Sequence, residues 1–580
     1  MATAAATNAI FRLRALGSDE TGFFSLDEFV FIATSFDADA REFVRSAGAS
    51  ARVRNESDES QIGGARGSSR NVPSVRWVPS GTMRSANGSR RALADLVVHD
   101  GPLAALGAAF AERRMPTPLP APHLVAFNPD AAALLGLDPA AADDPDFTLV
   151  AAGNATFRDR PPSAAIYAGH QFGIFVPQLG DGRAISLGEI ENALGERWEF
   201  QLKGAGTTAF SRFADGRAVL RSTIREYLCS EAMHHLGIPT TRALAIAGSA
   251  FPVFRERTET AAVLIRLAPS FVRFGSFELF HSRGQFEHVK TLADHTIARL
   301  YPALAQNGER ERYAGFLREV VERTAELVAR WQAAGFAHGV LNTDNMSILG
   351  LTLDYGPFGF MERFDPGFIC NHSDEAGRYA FDQQPRVGHW NCYVLASALS
   401  SLVERADAQA ALDAYVPAYR SRFFALMGAK LGLAAEEEAD RELIAAFLDV
   451  LEASGADYTL AFRRLGSLGR EARDADVAFD EFFGGHPAWS VWRARYSARL
   501  EREPRTDAAR RAAMARVNPK FVLRNHLAQR AIVAAEAGDF GEIGRLHAVL
   551  RAPFAEQPEN EAYARPAPEG TETPEVSCSS

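Results

Sequence analysis

The 580-residue chain has few of the residues that mark several classes of protein. Its four cysteines are too few for the disulfide framework of a small secreted domain. It has no run of about 18 apolar residues, so no membrane span is predicted. Asp and Glu (72) outnumber Lys and Arg (62), and the formal net charge is -10. A nucleic-acid partner is therefore not favoured, although a local basic patch could lie within an acidic total.

The composition otherwise fits a large soluble protein whose two ends differ from its centre. Hydrophobic residues make up 47% and charged residues 23% of the chain, so more than one lobe can bury a core. Residues 1–95 are predicted to be a disordered or non-native extension, because 46–91 are dense in Ser, Gly, Arg and Asn. Residues 555–580, rich in Pro, Glu and Ala, are predicted to be a flexible tail.

The most informative segment is 336–356, which has the spacing of the catalytic and metal-binding loops of kinases. In small-molecule kinases, His-Gly-Asp is followed after four residues by Asn, and a second Asp comes later. The first Asp accepts the hydroxyl proton, while the Asn and the second Asp hold magnesium. Here His338, Asn345 and Asp354 occupy the positions of the His, the Asn and the second Asp of this pattern. Val340 stands where the proton-accepting Asp is expected. Valine cannot accept a proton, so ordinary γ-phosphoryl transfer by the usual base is disfavoured.

A glycine-rich turn and a lysine-bearing strand precede this segment. Residues 175–190 predict a strand, a turn at Gly180 and Gly182, and a returning strand, in the manner of a glycine loop over phosphates. Residues 198–203 alternate apolar and polar side chains, which predicts a strand with Lys203 on its polar face, towards a cleft.

A helix is predicted next, over residues 220–236. Leu220, Ile224 and Leu228 have near-helical spacing, and Gly237 ends the pattern. Glu226 lies in the first half of this helix. A strand lysine followed by a helix glutamate is the order of the ion pair that orients nucleotide phosphates in kinases.

Each of these signals is weak alone. A lone Gly-x-Gly is usually a hairpin turn, and Asp344 and Asn345 could form an ordinary Asx turn. Their order along the chain is more specific. It predicts an α+β, two-lobed, protein-kinase-like fold with a glycine loop in a β-rich N-lobe and a helical C-lobe. The expected boundaries are 96–285 for the N-terminal region with the N-lobe and 286–554 for the C-lobe.

Seven longer segments carry a resemblance to a known family. They are residues 167–173 (YAGHQFG), 178–184 (QLGDGRA), 201–206 (QLKGAG), 213–217 (FADGR), 342–345 (NTDN), 354–359 (DYGPFG) and 518–521 (NPKF). Together they closely resemble the selenoprotein O family, also called the YdiU family. The resemblance extends from about Leu103 to the last residue.

The resemblance implies an activity other than phosphorylation. Family members transfer AMP from ATP to Ser, Thr or Tyr hydroxyls of other proteins and release pyrophosphate. Transfer of UMP from UTP with manganese has also been proposed for bacterial members. The family binds its nucleotide inverted relative to kinases, with the γ-phosphate buried and the α-phosphate towards the acceptor.

The resemblance also implies roles for individual residues. Asp344 corresponds to the base that accepts the hydroxyl proton, and Asn345 and Asp354 to ligands of Mg²⁺ or Mn²⁺. The implied nucleotide-binding residues are Gly180, Gly182, Arg183, Lys203, Asp215, Gly216, Arg266, Arg273 and Asp354, with Glu226 as the orienting partner of Lys203.

Two of these arginines pose a question that the sequence leaves open. Arg266 and Arg273 lie in apolar runs, where an unpaired guanidinium would be costly to bury. A phosphate partner would offset that cost. A carboxylate partner is the alternative.

The cysteines carry one further implication of the resemblance. In the family, a residue near the carboxyl end pairs with a cysteine of the activation segment, and Cys578 and Cys370 hold those places here. Two unpaired thiols are the alternative in a reducing cytosol. The expected location is the cytoplasm in a bacterium, or the mitochondrion in a eukaryote. Two rival functions remain at this point: a phosphotransferase, or a non-catalytic pseudokinase scaffold that binds nucleotide.

Overall fold

The computed structural model describes residues 91–158, 160–470, 475–571 and 576–577. Most of the predicted N-terminal extension lies outside these residues. The described chain combines a large antiparallel sheet with many helices, which confirms the predicted α+β class. Among the described helices, none has the length and apolar character that crossing a membrane requires.

The strands of the described residues all lie before residue 361. They are β1 (Val97–His99), β2 (Ala111–Arg113), β3 (His123–Phe127), β4 (Ser163–Ala165), β5 (Gly169–Gln171), β6 (Ile174–Val176), β7 (Ala184–Glu191), β8 (Arg197–Lys203), β9 (Ala218–Val219), β10 (Arg242–Phe254), β11 (Thr258–Ala268), β12 (Phe336–Ala337) and β13 (Gly359–Phe360).

Most of the helices follow the sheet in the chain. They are α1 (Pro129–Leu134), α2 (Pro145–Ala151), α3 (Leu220–His235), α4 (Phe274–Ser282), α5 (Phe286–Leu300), α6 (Glu309–Ala334), α7 (Gln384–Ala398), α8 (Arg405–Leu412), α9 (Tyr415–Lys430), α10 (Asp440–Ser454), α11 (Tyr458–Leu465), α12 (Ala475–Phe482), α13 (Pro487–Glu501), α14 (Asp507–Ala515), α15 (Asn525–Glu536) and α16 (Gly541–Leu550).

The large sheet has the strand order β2-β4-β7-β8-β11-β10-β3, with β1 added to β7 and β9 added to β11. Alternation along β8 gives this strand an apolar and a polar face. Phe200 and Leu202 enter the core that includes α1 and α2, while Gln201 and Lys203 face the other way. The predicted strand at 198–203 and its polar lysine face are confirmed.

The helix predicted over 220–236 is confirmed as α3. Its buried face carries Ile224, Leu228 and Ala232, which pack against β10, β11 and the C-terminal helices α15 and α16. Glu226 lies on the same helix, so this packing places it next to the polar face of β8. The long helix α6 forms the centre of a second core with α4, α5 and α7.

The hairpin predicted over 175–190 is wrong in its pairing. The first strand, β6, ends at Val176 and pairs with β5 in a separate two-stranded sheet, whereas β7 pairs with β1, β4 and β8. Pro177 explains where β6 ends, because proline has no N–H to continue a ladder. The glycine segment therefore links two sheets instead of closing one hairpin.

The described part of the predicted tail lies against the helical region. A 3₁₀ helix covers Pro558–Ala564. Lys520 binds Glu556 at 3.1 Å and Glu561 at 2.6 Å. Farther along, the carbonyl of Val576 accepts a hydrogen bond from the N–H of His372 at 2.9 Å. The chain end thus reaches the segment that follows Asp354.

The polar face of β8 also buries a carboxyl group, that of Glu199. Its side chain accepts a hydrogen bond from the N–H of Phe271 at 3.3 Å, and Glu189 lies opposite it in the strand register. Burial, with the neighbouring charge of Glu189, raises the pKa of Glu199 to about 8. Glu199 is therefore largely protonated in the folded protein at neutral pH.

We expect the Glu199 contribution to the free energy of unfolding to be present below its ordinary pKa of 4.5 and to be lost as pH rises through about 8. Glu199→Gln imitates the protonated form, so it should flatten the fall in stability between pH 5 and pH 8. Denaturant unfolding at several pH values measures this slope. Glu196→Gln, at an exposed position in the same hairpin, is the matched control. Equal slopes in the Glu199 variant and the wild type would contradict the assignment.

Candidate active site

A cavity of 720 Å³ opens between the polar face of β8 and the loops that follow α6. Its lining includes the residues predicted to bind nucleotide, metal ion or the transferred proton: Gly180, Gly182, Arg183, Lys203, Asp215, Gly216, Arg266, Arg273, Asp344, Asn345 and Asp354. Glu226 lies behind the cavity wall. The structure thus brings together residues that are separated by up to 174 positions in the chain.

A buried ion network forms the floor of this cavity. The Lys203 ammonium lies 2.5 Å from Oε2 of Glu226 and also contacts Oδ1 of Asp354. Arg266 reaches the same two carboxylates, at 3.1 Å and 3.2 Å. Burial would raise the pKa of Asp354, but Lys203, Arg266 and Arg273 hold it well below its usual range. Asp354 is therefore ionised at neutral pH.

The question left open for the two arginines has a different answer for each. Arg266 has the carboxylate partners of the alternative interpretation and also contacts the side chain of Gln201. Arg273 donates to the backbone carbonyl of Asp344 at 2.7 Å and lies over the ring of Tyr167. Its nearest carboxylate oxygens are 3.8 Å and 3.9 Å away. Arg273 is thus less fully paired with carboxylates than Arg266.

Asp344 lies in a 3₁₀ turn, Thr343–Asn345, at the cavity wall. Asp344 is only 8% exposed. Burial raises the pKa of its carboxyl group to about 6, although the charge of Arg273 acts to lower it. Oδ2 accepts a hydrogen bond from the Gln171 amide at 3.3 Å. Oδ1 has no hydrogen-bond partner within the described part of the chain. The carboxylate therefore lies at the cavity wall with few hydrogen bonds from the protein, which leaves it able to accept a proton.

Val340 lines the same cavity at the position where kinases carry their base. His338, two residues earlier, is buried against Trp331, and its Nδ1 accepts the N–H of Val340 at 3.3 Å. Burial lowers the pKa of His338 to about 4, so the ring is neutral at neutral pH. These contacts assign His338 to holding the loop.

The hairpin of β5 and β6 holds the Asp344 loop through three consecutive residues. The His170 N–H donates to Thr343 Oγ1 at 2.7 Å, the Gln171 amide donates to Asp344, and the Phe172 N–H donates to Asn342 Oδ1 at 3.2 Å. The sequence reasoning assigned no role to His170, Gln171 or Phe172. Their segment was a visible signal, because residues 167–173 are one of the motifs behind the family resemblance.

A close approach explains the glycine at the start of this hairpin. A Cβ atom at Gly169 would lie 3.0 Å from both Cβ and Oδ1 of Asp344. A larger residue would therefore push the hairpin away from the carboxylate or displace the carboxylate itself. Gly169 lets the backbone pass directly beside Asp344.

The glycine segment is shaped by the neighbouring loop 204–217. Gly180 has φ +118°, and a Cβ atom there would lie 2.5 Å from the ring of Phe210. Between the glycines, Asp181 is buried and accepts hydrogen bonds from Tyr167 and Gln201. Asp181 is a further site residue to which the sequence reasoning assigned no role. Asp215 lines the cavity too, but its carboxylate binds Arg255 at 2.9 Å and 3.0 Å.

Two oxygen-bearing side chains at the cavity suit a divalent metal ion. The Asn345 amide nitrogen donates to the carbonyl of Val340 at 3.0 Å, which leaves its amide oxygen as the donor atom for a ligand. Asp354 supplies an ionised carboxylate. Among the residues described, no group of three or more His, Cys, Asp or Glu could hold a metal alone. Magnesium commonly uses one or two protein oxygens together with substrate phosphates, so the pair fits an ion bound with a nucleotide.

The predicted disulfide cannot be placed, because Cys578 lies outside the described residues. Cys370 is half-buried, with Sγ 3.0 Å from the carbonyl oxygen of Pro357. The contact between Val576 and His372 brings the chain end near Cys370. Pairing of the two cysteines stays a prediction.

Comparison with known proteins agrees with the cavity chemistry. The family profile described as "Protein adenylyltransferase SelO" matches residues 96–551. A Myxococcus xanthus protein named "Protein nucleotidyltransferase YdiU" is 55% identical over 482 residues, which cover 83% of this chain and 98% of the relative. Proteins of the same name from Burkholderia thailandensis (53% over 500 residues, 83% of this chain and 95% of the relative) and Thioalkalivibrio sulfidiphilus (55% over 483 residues, 82% and 97%) are also similar. The chain therefore belongs to the SelO family of protein adenylyltransferases and is an enzyme of the nucleotidyltransferase class.

Proposed function

We propose that this enzyme transfers AMP from ATP to Ser, Thr or Tyr hydroxyls of target proteins, with Asp344 as the base, in a two-lobed, kinase-like arrangement. The observation that carries the proposal is the position of Asp344. Its carboxylate, with one unpartnered oxygen, shares a cavity with the Lys203 and Asp354 network, while the usual kinase position holds Val340. The cavity lies between the sheet of residues 97–268 and the loops of the helical region, as a cleft between two lobes would.

The transfer step follows from this geometry. The acceptor oxygen attacks the α-phosphorus of ATP, and its proton passes to the carboxylate of Asp344. The bond from the α-phosphorus to the oxygen that bridges to the β-phosphate breaks, and pyrophosphate leaves with that electron pair. A base works best when its pKa lies near the working pH, and burial brings the Asp344 pKa to about 6.

The cations on the cavity floor are proposed to hold the phosphates that leave. Lys203, Arg266 and Arg273 converge there, and each contacts a carboxylate or carbonyl oxygen of the protein. An inverted nucleotide would replace some of these oxygens with β- and γ-phosphate oxygens. The charge of each cation then stays neutralised before and after binding, which lowers the cost of keeping it buried.

The remaining predicted nucleotide contacts are proposed to surround the rest of ATP. Gly180, Gly182, Arg183, Asp215 and Gly216 line the cavity on the side of the glycine segment and the loop 204–217. Asn345 and Asp354 would hold Mg²⁺ or Mn²⁺. Such an ion would neutralise phosphate charge that develops as pyrophosphate leaves. Use of UTP with Mn²⁺ is part of the same proposal, since Lys203, Arg266 and Arg273 would contact phosphate groups that ATP and UTP share.

The position of the labelled phosphate in ATP distinguishes AMP transfer from phosphorylation. We expect α-labelled ATP, and not γ-labelled ATP, to label protein. Asp344→Asn should lower the labelling rate about 100-fold or more, because general-base catalysis contributes at least this much. Asp365→Asn removes an exposed carboxylate in the following segment and should label normally. Transfer of γ-label would contradict AMP transfer, and full activity of Asp344→Asn would contradict only the role of Asp344.

Binding of ATP and AMP tests the inverted pose. Arg266→Lys and Arg273→Lys keep the charge but lose the fork-shaped donor, so each should weaken ATP binding about tenfold and AMP binding much less. Calorimetric titration measures both affinities. Arg221→Lys, a paired arginine on α3 that does not line the cavity, is the matched control. Equal losses for ATP and AMP would argue against β- and γ-phosphate contacts at these arginines.

Gln171 offers a test of how the base is positioned. Gln171→Leu removes the amide that donates to Asp344, so the maximal rate of transfer should fall about tenfold, as for loss of one hydrogen bond to a charged group. The KM for ATP should change less than twofold. Steady-state kinetics with α-labelled ATP separate the two effects, and Gln178→Leu, at an exposed position seven residues farther along the chain, is the control. A variant whose defect lies in the KM for ATP would assign Gln171 to nucleotide binding instead.

A further inference from the structure

The proposed reaction requires the acceptor protein to bring a hydroxyl to Asp344, and the inference below rests on that proposed function. The hydroxyl must come within about 3 Å of the carboxylate for its proton to be transferred. Gln171 and Phe172, on the β5 and β6 hairpin, line the cavity wall beside Asp344. An acceptor segment that enters here must therefore pass over the tip of this hairpin.

The hairpin tip and the neighbouring activation segment expose three large apolar side chains. Phe172 is 37% exposed, Ile174 is 72% exposed and Ile369 is 43% exposed. The two elements meet at residues 377–378, because a Cβ atom at Gly173 would lie 3.1 Å from the Arg378 guanidinium, and one at Gly377 would lie 3.3 Å from Ile369 Cδ1. We call Phe172, Ile174 and Ile369 the mouth patch.

The backbone at Phe172 shows that its ring is held in place at some cost. Phe172 has φ +52°, a region that residues other than glycine and asparagine seldom adopt. Its N–H is fixed by Asn342 Oδ1 at 3.2 Å and by the Tyr379 hydroxyl at 2.9 Å. The Phe172 ring also packs on Tyr379, with ring centroids 5.1 Å apart. Strained backbone that surrounding contacts enforce is concentrated at functional sites.

We propose that the mouth patch docks the acceptor protein, by binding an apolar side chain that lies within a few residues of the hydroxyl to be modified. The patch is continuous with the catalytic cavity, since Phe172 belongs to both. An extended chain advances about 3.3 Å per residue, so a residue one to four positions from the hydroxyl can reach the patch while the hydroxyl reaches Asp344. A rigid aromatic anchor binds at little cost in side-chain entropy.

Synthetic acceptor peptides test this proposal. Each peptide carries one Ser, Thr or Tyr, with either leucine or asparagine at the four positions on each side. With α-labelled ATP, the wild type should label the leucine peptides with at least a fivefold higher kcat/KM than the asparagine peptides. Ile174→Asn and Ile369→Asn should abolish this preference and leave ATP affinity unchanged. Phe172→Asn, which tolerates the positive φ, should also abolish the preference; no ATP affinity is predicted for it, because Phe172 lines the cavity.

The control is Leu194→Asn, because Leu194 is 72% exposed in the turn between β7 and β8 and does not line the cavity. This variant should keep the leucine preference. Equal labelling of the two peptide sets by the wild type, or a preference that survives in all three patch variants, overturns the proposal. If light scattering shows that the patch variants differ from the wild type in molecular mass while their peptide preference is unchanged, the patch serves self-association. That result also overturns the proposal.

Labelling of a bacterial lysate separates failure of the docking proposal from failure of the proposed function. If the wild type transfers α-label to lysate proteins but to no peptide, AMP transfer stands and docking through a short apolar segment is overturned. If neither lysate nor peptides accept α-label, the proposed function fails, and the docking proposal fails with it.

Discussion

The carboxylate of Asp354 joins the parts of the site to one another. Lys203 comes from β8, Arg266 from β11 and Glu226 from α3, and the two cations reach Asp354 from the sheet. Charges buried at this depth are tolerable only while they are paired. The ion pairs therefore hold the sheet, the helix α3 and the loop of Asp354 in one arrangement.

A second consequence of this network concerns nucleotide binding. Lys203 and Arg266 each contact the carboxylates of Glu226 and Asp354, and Arg273 donates to the carbonyl oxygen of Asp344. In the proposed pose, nucleotide binding exchanges these protein oxygens for phosphate oxygens, so the affinity for nucleotide depends on the difference between two sets of contacts. Individual phosphate contacts can be strong while the net affinity stays moderate.

Local pattern was enough to predict some elements of this site. Two-residue alternation predicted β8 and the face of Lys203, and helical spacing predicted α3 with Glu226. The pairing of the glycine segment could not be predicted in this way, because it depends on which distant strand β7 joins. Arg266 shows the same limit: its carboxylate partners lie 40 and 88 residues away in the chain. The contacts by which residues His170 to Phe172 hold the Asp344 loop were not predicted, because β5 and β6 have only three residues each.

The contact between Val576 and His372 has a practical consequence for work on the protein. Val576 is four residues from the last residue of the chain, and His372 lies only three residues after Ile369 in the activation segment. An affinity tag or fluorescent protein fused after Ser580 would therefore be joined to the chain within five residues of this contact. We expect such a fusion to hinder large acceptors more than small nucleotides. A dye attached there would instead report on the surroundings of that segment.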